Sequence, residues 1–180
     1  DSSQVTLEVT LENPPPPPLP LTVLLALPRP KVLRRILQVV AATGVKKLYL
    51  INSYRVEKSY WLSPLLEPEN IRKQLLLGLE QSRDTQLPEV TLHKRFKPFV
   101  EDELPALCIN KKCFIAHPNE QAAPCPRAIT DPSVLAIGPE GGFIPYEVEK
   151  LNGAGFQTIS LGQRILKVET AIPALLYRMF

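Results

Sequence analysis

The sequence has few of the residues from which metal sites and disulfide frameworks are built. It contains two histidines and three cysteines, Cys108, Cys113 and Cys125. An odd number of cysteines without a Cys-x-x-Cys pair implies no disulfide framework and favours reduced thiols in a reducing compartment. With His117 the cysteines make a set of four potential zinc ligands. Their spacing matches no common zinc finger, so buried structural cysteine is favoured over a zinc site.

Long apolar runs and several familiar enzyme motifs are also missing. No stretch approaches the ~20 apolar residues of a membrane span, and the first residues lack the basic-then-apolar order of a signal peptide. The chain is therefore expected to be a soluble cytoplasmic protein without a membrane partner. The absence of GxGxxG after the first strand, of GxxxxGK[ST] and of GxSxG removes the usual signatures of dinucleotide binding, P-loop hydrolysis and serine hydrolases.

The composition is that of a globular protein with a small positive excess. Hydrophobic residues make up 44% and charged residues 22% of the chain, which is too apolar for a disordered protein. The net charge of +3 permits an anionic partner but does not demonstrate one, because an electrostatic footprint requires clustering on one face.

The first twenty residues combine an alternating segment with a run of proline. Residues 1–12 alternate apolar and polar side chains and predict a half-buried strand. Pro14 to Pro18, followed by Pro20, favour a stiff polyproline II linker, with an SH3-type ligand as the alternative. Because one strand cannot form a domain, residues 1–13 are expected to be the terminal strand of a further N-terminal domain, residues 14–20 a linker, and residues 21–180 a separate domain.

From Leu21 onward, strand and helix patterns alternate. Strands are predicted at 21–27, 47–51, 89–92, 112–116, 133–138 and 157–161. Helices are predicted at 31–43, 64–83, 98–107, 146–154 and 169–180. Strands separated by helices in this way predict an α/β fold with a mostly parallel sheet covered by helices.

Two glycine-bearing strand ends are the candidate functional site. Residues 134–143, Val-Leu-Ala-Ile-Gly-Pro-Glu-Gly-Gly-Phe, run from a buried strand into a glycine loop. Ligands bind beyond the carboxyl ends of parallel strands, and glycine lets the backbone approach a ligand closely. A cofactor loop is the functional interpretation, and an ordinary strand-to-helix turn is the alternative.

The second glycine-bearing end is formed by residues 160–171. It precedes a helix whose free amide groups favour an anion or a polar ligand, and a surface loop is the alternative. Together the two ends suggest one shared pocket. His117, directly after a predicted strand, is equally compatible with lining this site and with a structural role, whereas His93 is predicted to lie at the surface.

The two glycine segments together closely resemble the ribosomal RNA small subunit methyltransferase E family. The matching motifs are Ile-Gly-Pro-Glu-Gly-Gly-Phe at 137–143, Glu-Val at 147–148, Ala-Gly-Phe at 154–156 and Ser-Leu-Gly-Gln-Arg-Ile-Leu-Lys-Val-Glu-Thr-Ala at 160–171. Leu-Pro-Arg-Pro-Lys at 27–31, Ala-Thr-Gly-Val at 42–45 and Glu-Gln-Ser-Arg at 80–83 resemble further blocks, so the resemblance covers residues 21–180. The family often has Pro, Arg and Thr where this chain has Gln163, Lys167 and Val168, and Glu-Leu where it has Ala42 and Thr43. The glycines and one positive charge are kept.

The resemblance implies a SPOUT-class enzyme, with a parallel sheet whose C-terminal part forms a deep trefoil knot. Members bind S-adenosylmethionine (SAM) in a bent form and work as homodimers in which each site is completed by its neighbour. They methylate N3 of one uridine in small-subunit (16S) ribosomal RNA, so the expected partner is that RNA or the 30S subunit. The N-terminal piece would belong to a PUA-like RNA-binding domain. The alternative function is a non-catalytic RNA-binding or ribosome-assembly module.

The resemblance also suggests roles for individual residues. Arg83 is the candidate for contacting the RNA phosphate or the uracil carbonyl, with a solvated charge at a helix end as the alternative. Glu140 would set the loop or bind a polar cofactor group. No residue stands out as the general base, for which Glu140 and Glu169 are weak candidates. No metal is expected. The residues expected to bind the cofactor are His117, Ile137, Gly138, Glu140, Gly141, Gly142, Leu161, Gly162, Arg164, Ile165, Leu166, Thr170 and Ala171. Those expected to bind RNA are Arg29, Lys31, Arg34, Arg35, Arg55 and Lys58, with solvated helix charges as the alternative for three of them.

Overall fold

The computed structural model describes residues 5–10 and 14–180, and these contain one seven-stranded sheet. The strands are β1 (Leu21–Ala26), β2 (Lys47–Ile51), β3 (Glu89–His93), β4 (Lys112–Ala116), β5 (Ala123–Pro124), β6 (Ser133–Ile137) and β7 (Gln157–Ser160). The helices are α1 (Pro30–Ala42), α2 (Pro68–Ser82), α3 (Phe96–Pro98), α4 (Leu104–Cys108), α5 (Pro145–Gly153) and α6 (Val168–Met179). A π-helical turn, Phe99–Glu103, joins α3 to α4, and 3-10 turns lie at Lys58–Leu62 and Pro64–Leu66.

All the strands pair in parallel, in the order β3-β2-β1-β6-β4-β7-β5, so the expected parallel α/β sheet is confirmed. Parallel sheets are covered on both faces, which explains why every residue of β1 and β6 is buried. All strands end at the same edge of the sheet, here termed the carboxyl edge, and begin at the opposite amino edge. The two glycine-bearing strand ends, after β6 and β7, therefore meet at the carboxyl edge on either side of β4.

The differences from the predicted elements occur mainly where proline intervenes. The helix predicted over 64–83 is divided into a 3-10 turn and α2, because Glu67 precedes Pro68 and adopts an extended conformation with ψ 138°. Pro105 lies in the first turn of α4, and the helix predicted over 98–107 is three consecutive helical pieces. The two-residue strand β5, which contains Pro124 and pairs with β7 alone, was not predicted.

The alternating N-terminal segment does not form the predicted strand where the structure describes it. Residues 5–10 have no regular secondary structure, and Val5, Leu7 and Val9 are 77%, 75% and 70% exposed. No sheet edge in the described part of the chain pairs with them, so their apolar face remains in water. The rest of that prediction, at residues 1–4 and 11–13, lies outside the described residues. The assignment of this segment to a further domain stays a prediction.

The described residues contain neither a candidate membrane span nor a cluster of metal ligands. No helix among them is both long enough and apolar enough to cross a bilayer. No three histidine, cysteine or acidic side chains in this part of the chain lie close enough to share a metal ion. Cys113 and Cys125 are buried and Cys108 is half-buried, as free thiols.

An ion pair between Lys46 and Asp84 fixes the loop that joins α2 to β3 at the amino edge. Lys46 Nζ lies 2.6 Å from Asp84 Oδ2 and also donates to the Gln86 carbonyl at 2.6 Å. Burial of the carboxyl opposes its charge, but hydrogen bonds from Lys46 and from the backbone N–H groups of Gln86 and Thr85 outweigh burial and lower the pKa of Asp84. Arg83 starts this loop in the left-handed conformation, with φ 55°.

Replacing Asp84 by Asn is expected to lower the free energy of unfolding by about 3 kcal/mol near neutral pH, because Lys46 loses its partner in a nearly buried site. The folded-state pKa of Asp84 lies below its unfolded value. The contribution of its charge is therefore fully present above the unfolded pKa, about 3.9, and is lost as pH falls through the folded pKa. Denaturant unfolding at one protein concentration, at about pH 7 and about pH 2, measures this difference.

Asp131→Asn is the matched control, because Asp131 pairs with Lys112 at 2.6 Å with both side chains 57% exposed. It is expected to cost less than about 1 kcal/mol. Equal losses for the two variants, or a loss for Asp84→Asn that does not shrink in acid, would contradict the assignment.

Candidate functional site

A pocket of about 300 Å³ lies at the carboxyl edge, where β4, β6 and β7 end. Its inner surface is apolar and includes Ile137, Ile159 and Leu175. Every residue expected to bind the cofactor lines this pocket except Thr170, which is exposed and donates its N–H to the Lys167 carbonyl at the start of α6. The structure thus brings together side chains from two segments that the sequence predicts to share a pocket. The wall also contains residues that were not predicted, namely Ala116, Pro118, Ile159, Ser160, Val168 and Leu175.

The loop after β6 closes tightly on itself, and two glycines make this possible. A Cβ atom on Gly138 would lie 2.9 Å from the backbone nitrogen of Phe143 and 3.2 Å from Gly142 Cα, so the loop has no room for a side chain there. Gly142 has φ 71°, which favours glycine, and donates to the Pro139 carbonyl at 2.7 Å. The result is a cradle in which Gly138, Gly141 and Gly142 present backbone alone to the pocket.

Two arginines from neighbouring strand ends hold this glycine loop. The Glu140 carboxylate accepts from the Arg29 backbone N–H at 3.2 Å and lies 3.3 Å from Arg29 Nε. The Arg55 guanidinium donates to the Gly141 carbonyl. Both arginines were predicted to bind RNA, which stays a prediction, and the contacts that the structure shows are with the loop. These contacts join residues 111 and 86 positions apart, so no local motif indicates them.

Glu147 is a buried carboxylate that ties the turn after β2 to the beginning of α5. It is 2% exposed and accepts from Ser53 Oγ at 3.0 Å, from the Tyr54 N–H at 2.8 Å and from the Ile144 N–H at 3.0 Å. Three donors satisfy the buried charge, which would otherwise be costly. The turn that carries Arg55 is therefore fixed beside the glycine loop. Sequence reasoning did not assign this role to Glu147.

The segment after β7 forms the opposite wall of the pocket. Gly162 has φ 128° and exchanges two hydrogen bonds with the Ser160 hydroxyl, which donates to its carbonyl at 2.9 Å and accepts from its N–H at 3.0 Å. Leu161, Ile165 and Leu166 are 37%, 85% and 37% exposed, and all three line the pocket. This wall therefore presents apolar side chains and backbone groups to a ligand.

The two histidines occupy different environments. His117 lines the pocket and is half-buried, and its backbone N–H donates to the Ile159 carbonyl at 3.1 Å. Burial, and secondly the charge of Arg55, lower the pKa of His117 below its ordinary value, so its imidazole is neutral at physiological pH. Of the two roles left open by the sequence, the geometry favours lining the site.

The prediction that His93 lies at the surface is wrong. Its side chain is 16% exposed, and its ring centroid lies 5.5 Å from that of Tyr49 and 4.5 Å from that of Phe99. Its Nδ1 is 3.2 Å from Glu103 Oε1. The π-helical turn folds back over the end of β3 and covers this histidine. The basic residues that follow His93 in the sequence gave no indication of this cover.

Arg83 does not line this pocket. It lies between the end of α2 and the beginning of β3, at the amino edge, and the strands that separate the two edges span roughly 16 Å. The six residues predicted to bind RNA are all exposed. Arg29 and Lys31 follow β1, and Arg55 and Lys58 follow β2, at the same edge as the pocket. Arg34 and Arg35 lie further along α1.

The crowding around Gly138 gives a testable prediction. Gly138→Ala is expected to lower the free energy of unfolding by about 1 to 3 kcal/mol, because the new methyl group meets backbone that cannot rotate away. The control is Gly153→Ala, since a Cβ at Gly153 meets no atom within 4 Å and alanine at a helical position stabilises by up to about 1 kcal/mol. Denaturant unfolding of both variants measures the difference. Equal stability of the two would show that the loop is not closed as described.

Comparison with known proteins agrees with this geometry. A model of the RNA methyltransferase domain family matches residues 15–179. The ribosomal RNA small subunit methyltransferase E of Treponema pallidum is 31% identical over 150 residues, which is 82% of this chain and 56% of that protein. The ribosomal RNA small subunit methyltransferase E 1 of Borreliella burgdorferi is 28% identical over 152 residues, which is 83% of this chain and 62% of that protein. The chain thus spans about three fifths of the length of these relatives.

Solved structures share the fold. The ribosomal RNA small subunit methyltransferase E of Neisseria gonorrhoeae, bound to S-adenosyl methionine, matches with a TM-score of 0.72 at 23% identity over 93% of this chain and 67% of that chain. A Legionella pneumophila protein assigned as a methyltransferase, with the bound cofactor SAM, matches with a TM-score of 0.69 at 27% identity over 87% of this chain and 64% of that chain. Since the family model spans nearly the whole described sheet and its helices, the chain belongs to the RNA methyltransferase domain family and is similar, within it, to the ribosomal RNA small subunit methyltransferase E proteins.

Proposed function

We propose that this chain is a SAM-dependent methyltransferase that modifies N3 of a uridine in small-subunit ribosomal RNA. The observation that carries the proposal is the pocket of about 300 Å³ at the carboxyl edge, which gathers both glycine-bearing strand ends. The names of the relatives support ribosomal RNA as the substrate, and the neighbours that hold SAM support the cofactor. A non-catalytic RNA-binding or ribosome-assembly module that keeps the same fold is the competing function.

The residues of the pocket fit SAM. Ile137, Ile159 and Leu175 offer apolar surface to an adenine ring, and the glycine loop offers backbone groups that no Cβ shields. Arg164, also in the wall, supplies a positive charge that suits a carboxylate such as that of the methionine part. When bound, SAM supplies a methyl group on a sulfonium, which is already a good leaving group.

The chain itself must align the uracil N3 and remove its proton. Alignment makes the larger contribution, because holding the reacting atoms in line replaces a bimolecular encounter. The Glu140 carboxylate is held by Arg29, and this contact supports a role for Glu140 in setting the loop rather than in removing a proton. Among the described wall residues, His117 is the uncharged titratable group, and a neutral imidazole at the pocket can accept a proton.

The proposal includes the knot expected from the resemblance. Two backbone hydrogen bonds support it, because both join the loop between β4 and β6 to the C-terminal segment. The Cys125 N–H donates to the Ser160 carbonyl at 2.8 Å, and the Ile129 N–H donates to the Met179 carbonyl at 2.7 Å. The loop is thus bonded to the chain both before and after the segment 161–178 that would be threaded.

The proposal also includes a homodimer, and the place of Arg83 supports it. Within one chain Arg83 and the pocket lie at opposite edges of the sheet. A direct contact between Arg83 and a uracil held at the pocket therefore requires the arginine of a second copy. A guanidinium supplied in this way would stabilise the negative charge that develops on the base as N3 loses its proton.

Titration calorimetry tests the cofactor first. The folded chain is expected to bind SAM, and Gly138→Ala is expected to weaken binding by about tenfold or more because its methyl group reshapes the cradle. Gly153→Ala should bind like the unchanged chain. A folded dimer that binds no SAM would favour the non-catalytic module.

Methyl transfer tests the substrate. Small ribosomal subunits that lack the modification are expected to accept a labelled methyl group from SAM. Primer extension should then stop at one uridine, since a methyl group on N3 blocks base pairing. Labelling of a different base, or of protein alone, would contradict the assignment.

Mixed dimers test Arg83. Arg83→Ala and Gly138→Ala are each expected to reduce methyl transfer strongly when present in both copies. Co-refolded mixtures should regain activity, because one of the two sites in a mixed dimer combines an intact pocket with an intact Arg83. Undiminished methyl transfer by Arg83→Ala alone, or no recovery in mixed dimers whose formation is verified by differential tagging, would remove Arg83 from the site.

A further inference from the structure

The five tyrosines of the chain differ in whether their rings have partners. Tyr49 stacks on His93, Tyr60 donates its hydroxyl to Glu57 at 3.1 Å, and Tyr146 has the ammonium of Lys150 5.9 Å from its ring centroid. Tyr54 and Tyr177 are 80% and 81% exposed, and within the described residues neither ring has an aromatic or cationic partner. Single exposed aromatic residues are common, so their surroundings decide whether they matter.

Tyr54 is exposed although its backbone is firmly held. Its N–H donates to the buried Glu147 carboxylate at 2.8 Å, and the preceding Ser53 is 2% exposed and donates to the same carboxylate at 3.0 Å. The Val56 N–H closes the turn onto the Ser53 carbonyl at 3.0 Å. The ring therefore stands in water on a fixed support, and binding a ligand there costs little conformational entropy.

This support lies beside the glycine loop that forms part of the pocket wall. Arg55, the next residue, donates to the Gly141 carbonyl in the pocket wall, and its charge acts on His117 in the same wall. Tyr177, by contrast, lies in the last turn of α6, in a second cavity with Pro16, Gly44 and Phe180 at the amino edge. Of the two unpartnered tyrosines, Tyr54 is the one at the carboxyl edge, next in sequence to a residue that contacts the pocket wall.

The charges around Tyr54 favour a nucleic acid as its partner. Arg29, Lys31, Arg55 and Lys58 are exposed at this edge, where they can meet phosphates. Proteins that bind single-stranded nucleic acid combine such a basic surface with aromatic rings on which unpaired bases stack. An apolar protein surface would be a poor match for an edge that carries four exposed cationic side chains.

We infer that Tyr54 is a stacking platform for an unpaired RNA base that flanks the nucleotide entering the pocket. The inference rests on the proposed function, because it takes RNA as the substrate. Stacking accepts any base, so Tyr54 contributes affinity and alignment beside the pocket, while the identity of the modified base is read inside the pocket.

Binding of a short fluorescein-labelled oligo-uridine to the whole chain, followed by anisotropy, tests this inference. Tyr54→Ala and Tyr54→Leu are expected to raise the Kd about tenfold, whereas Tyr54→Phe, which keeps the ring, should stay within about twofold. A 2-aminopurine placed in the oligonucleotide should be quenched on binding to the chain and to Tyr54→Phe, and less by Tyr54→Leu.

Several outcomes would overturn the inference. These are no binding by the unchanged chain, full affinity of Tyr54→Ala, or full affinity of Tyr54→Leu, which would indicate a merely apolar contact. SAM affinity, measured in parallel, should not change in any Tyr54 variant. If the chain binds no SAM but the Tyr54 variants bind RNA as expected, the methyltransferase proposal fails and the RNA contact stands. If SAM binding and methyl transfer are intact but the Tyr54 variants bind RNA like the unchanged chain, the methyltransferase proposal stands and the Tyr54 inference fails.

Discussion

The candidate site depends on the ties between the glycine loop and the ends of β1 and β2. Arg29 binds Glu140, Arg55 binds the Gly141 carbonyl, and Glu147 holds the turn that carries Arg55. Parallel strands place three such ends at one edge, but the sheet alone does not fix the loops beyond it. Without these ties the glycine loop, which has no side chain to pack at Gly138, Gly141 or Gly142, would have many conformations to lose on binding a ligand.

The same sheet divides the proposed chemistry between two edges. Parallel pairing puts the ends of β4, β6 and β7 together, and it puts the loop from α2 to β3, with Arg83 and the Lys46–Asp84 ion pair, at the far side. A chain of this topology cannot bring both edges to one ligand by a loop movement, because the buried strands lie between them. A second copy of the chain can bring its Arg83 edge to the pocket without any such movement. The proposed dimer and the proposed role of Arg83 therefore depend on the same geometry.

Sequence patterns predicted what depends on neighbours in the chain. The strands, the helices and the two glycine-bearing ends follow from residues within a few positions of one another, and the parallel sheet then implies that the two ends share a pocket. The roles of Arg29, Arg55 and Glu147 depend on contacts across the fold, to residues between 86 and 111 positions away, and no periodicity encodes such pairs. His93 was misplaced for a related reason: the π-helical turn that covers it is a tertiary feature. The interrupted helix before Pro68 follows from a local rule, the extended preference of a residue that precedes proline.

The turn after β2 uses the side chain of Ser53 but only the backbone of Tyr54 to bind Glu147. Glu147 holds the backbone N–H of Tyr54 and the hydroxyl of Ser53, so the fold uses the side chain at position 53 but only the backbone at position 54. A small polar residue at 54 would make the same hydrogen bond and leave less apolar surface in water. Neither packing nor hydrogen bonding within the described chain therefore accounts for the tyrosine ring. Tyr54 precedes Arg55, which contacts Gly141 in the pocket wall, and this position is consistent with the ring contacting the proposed RNA substrate.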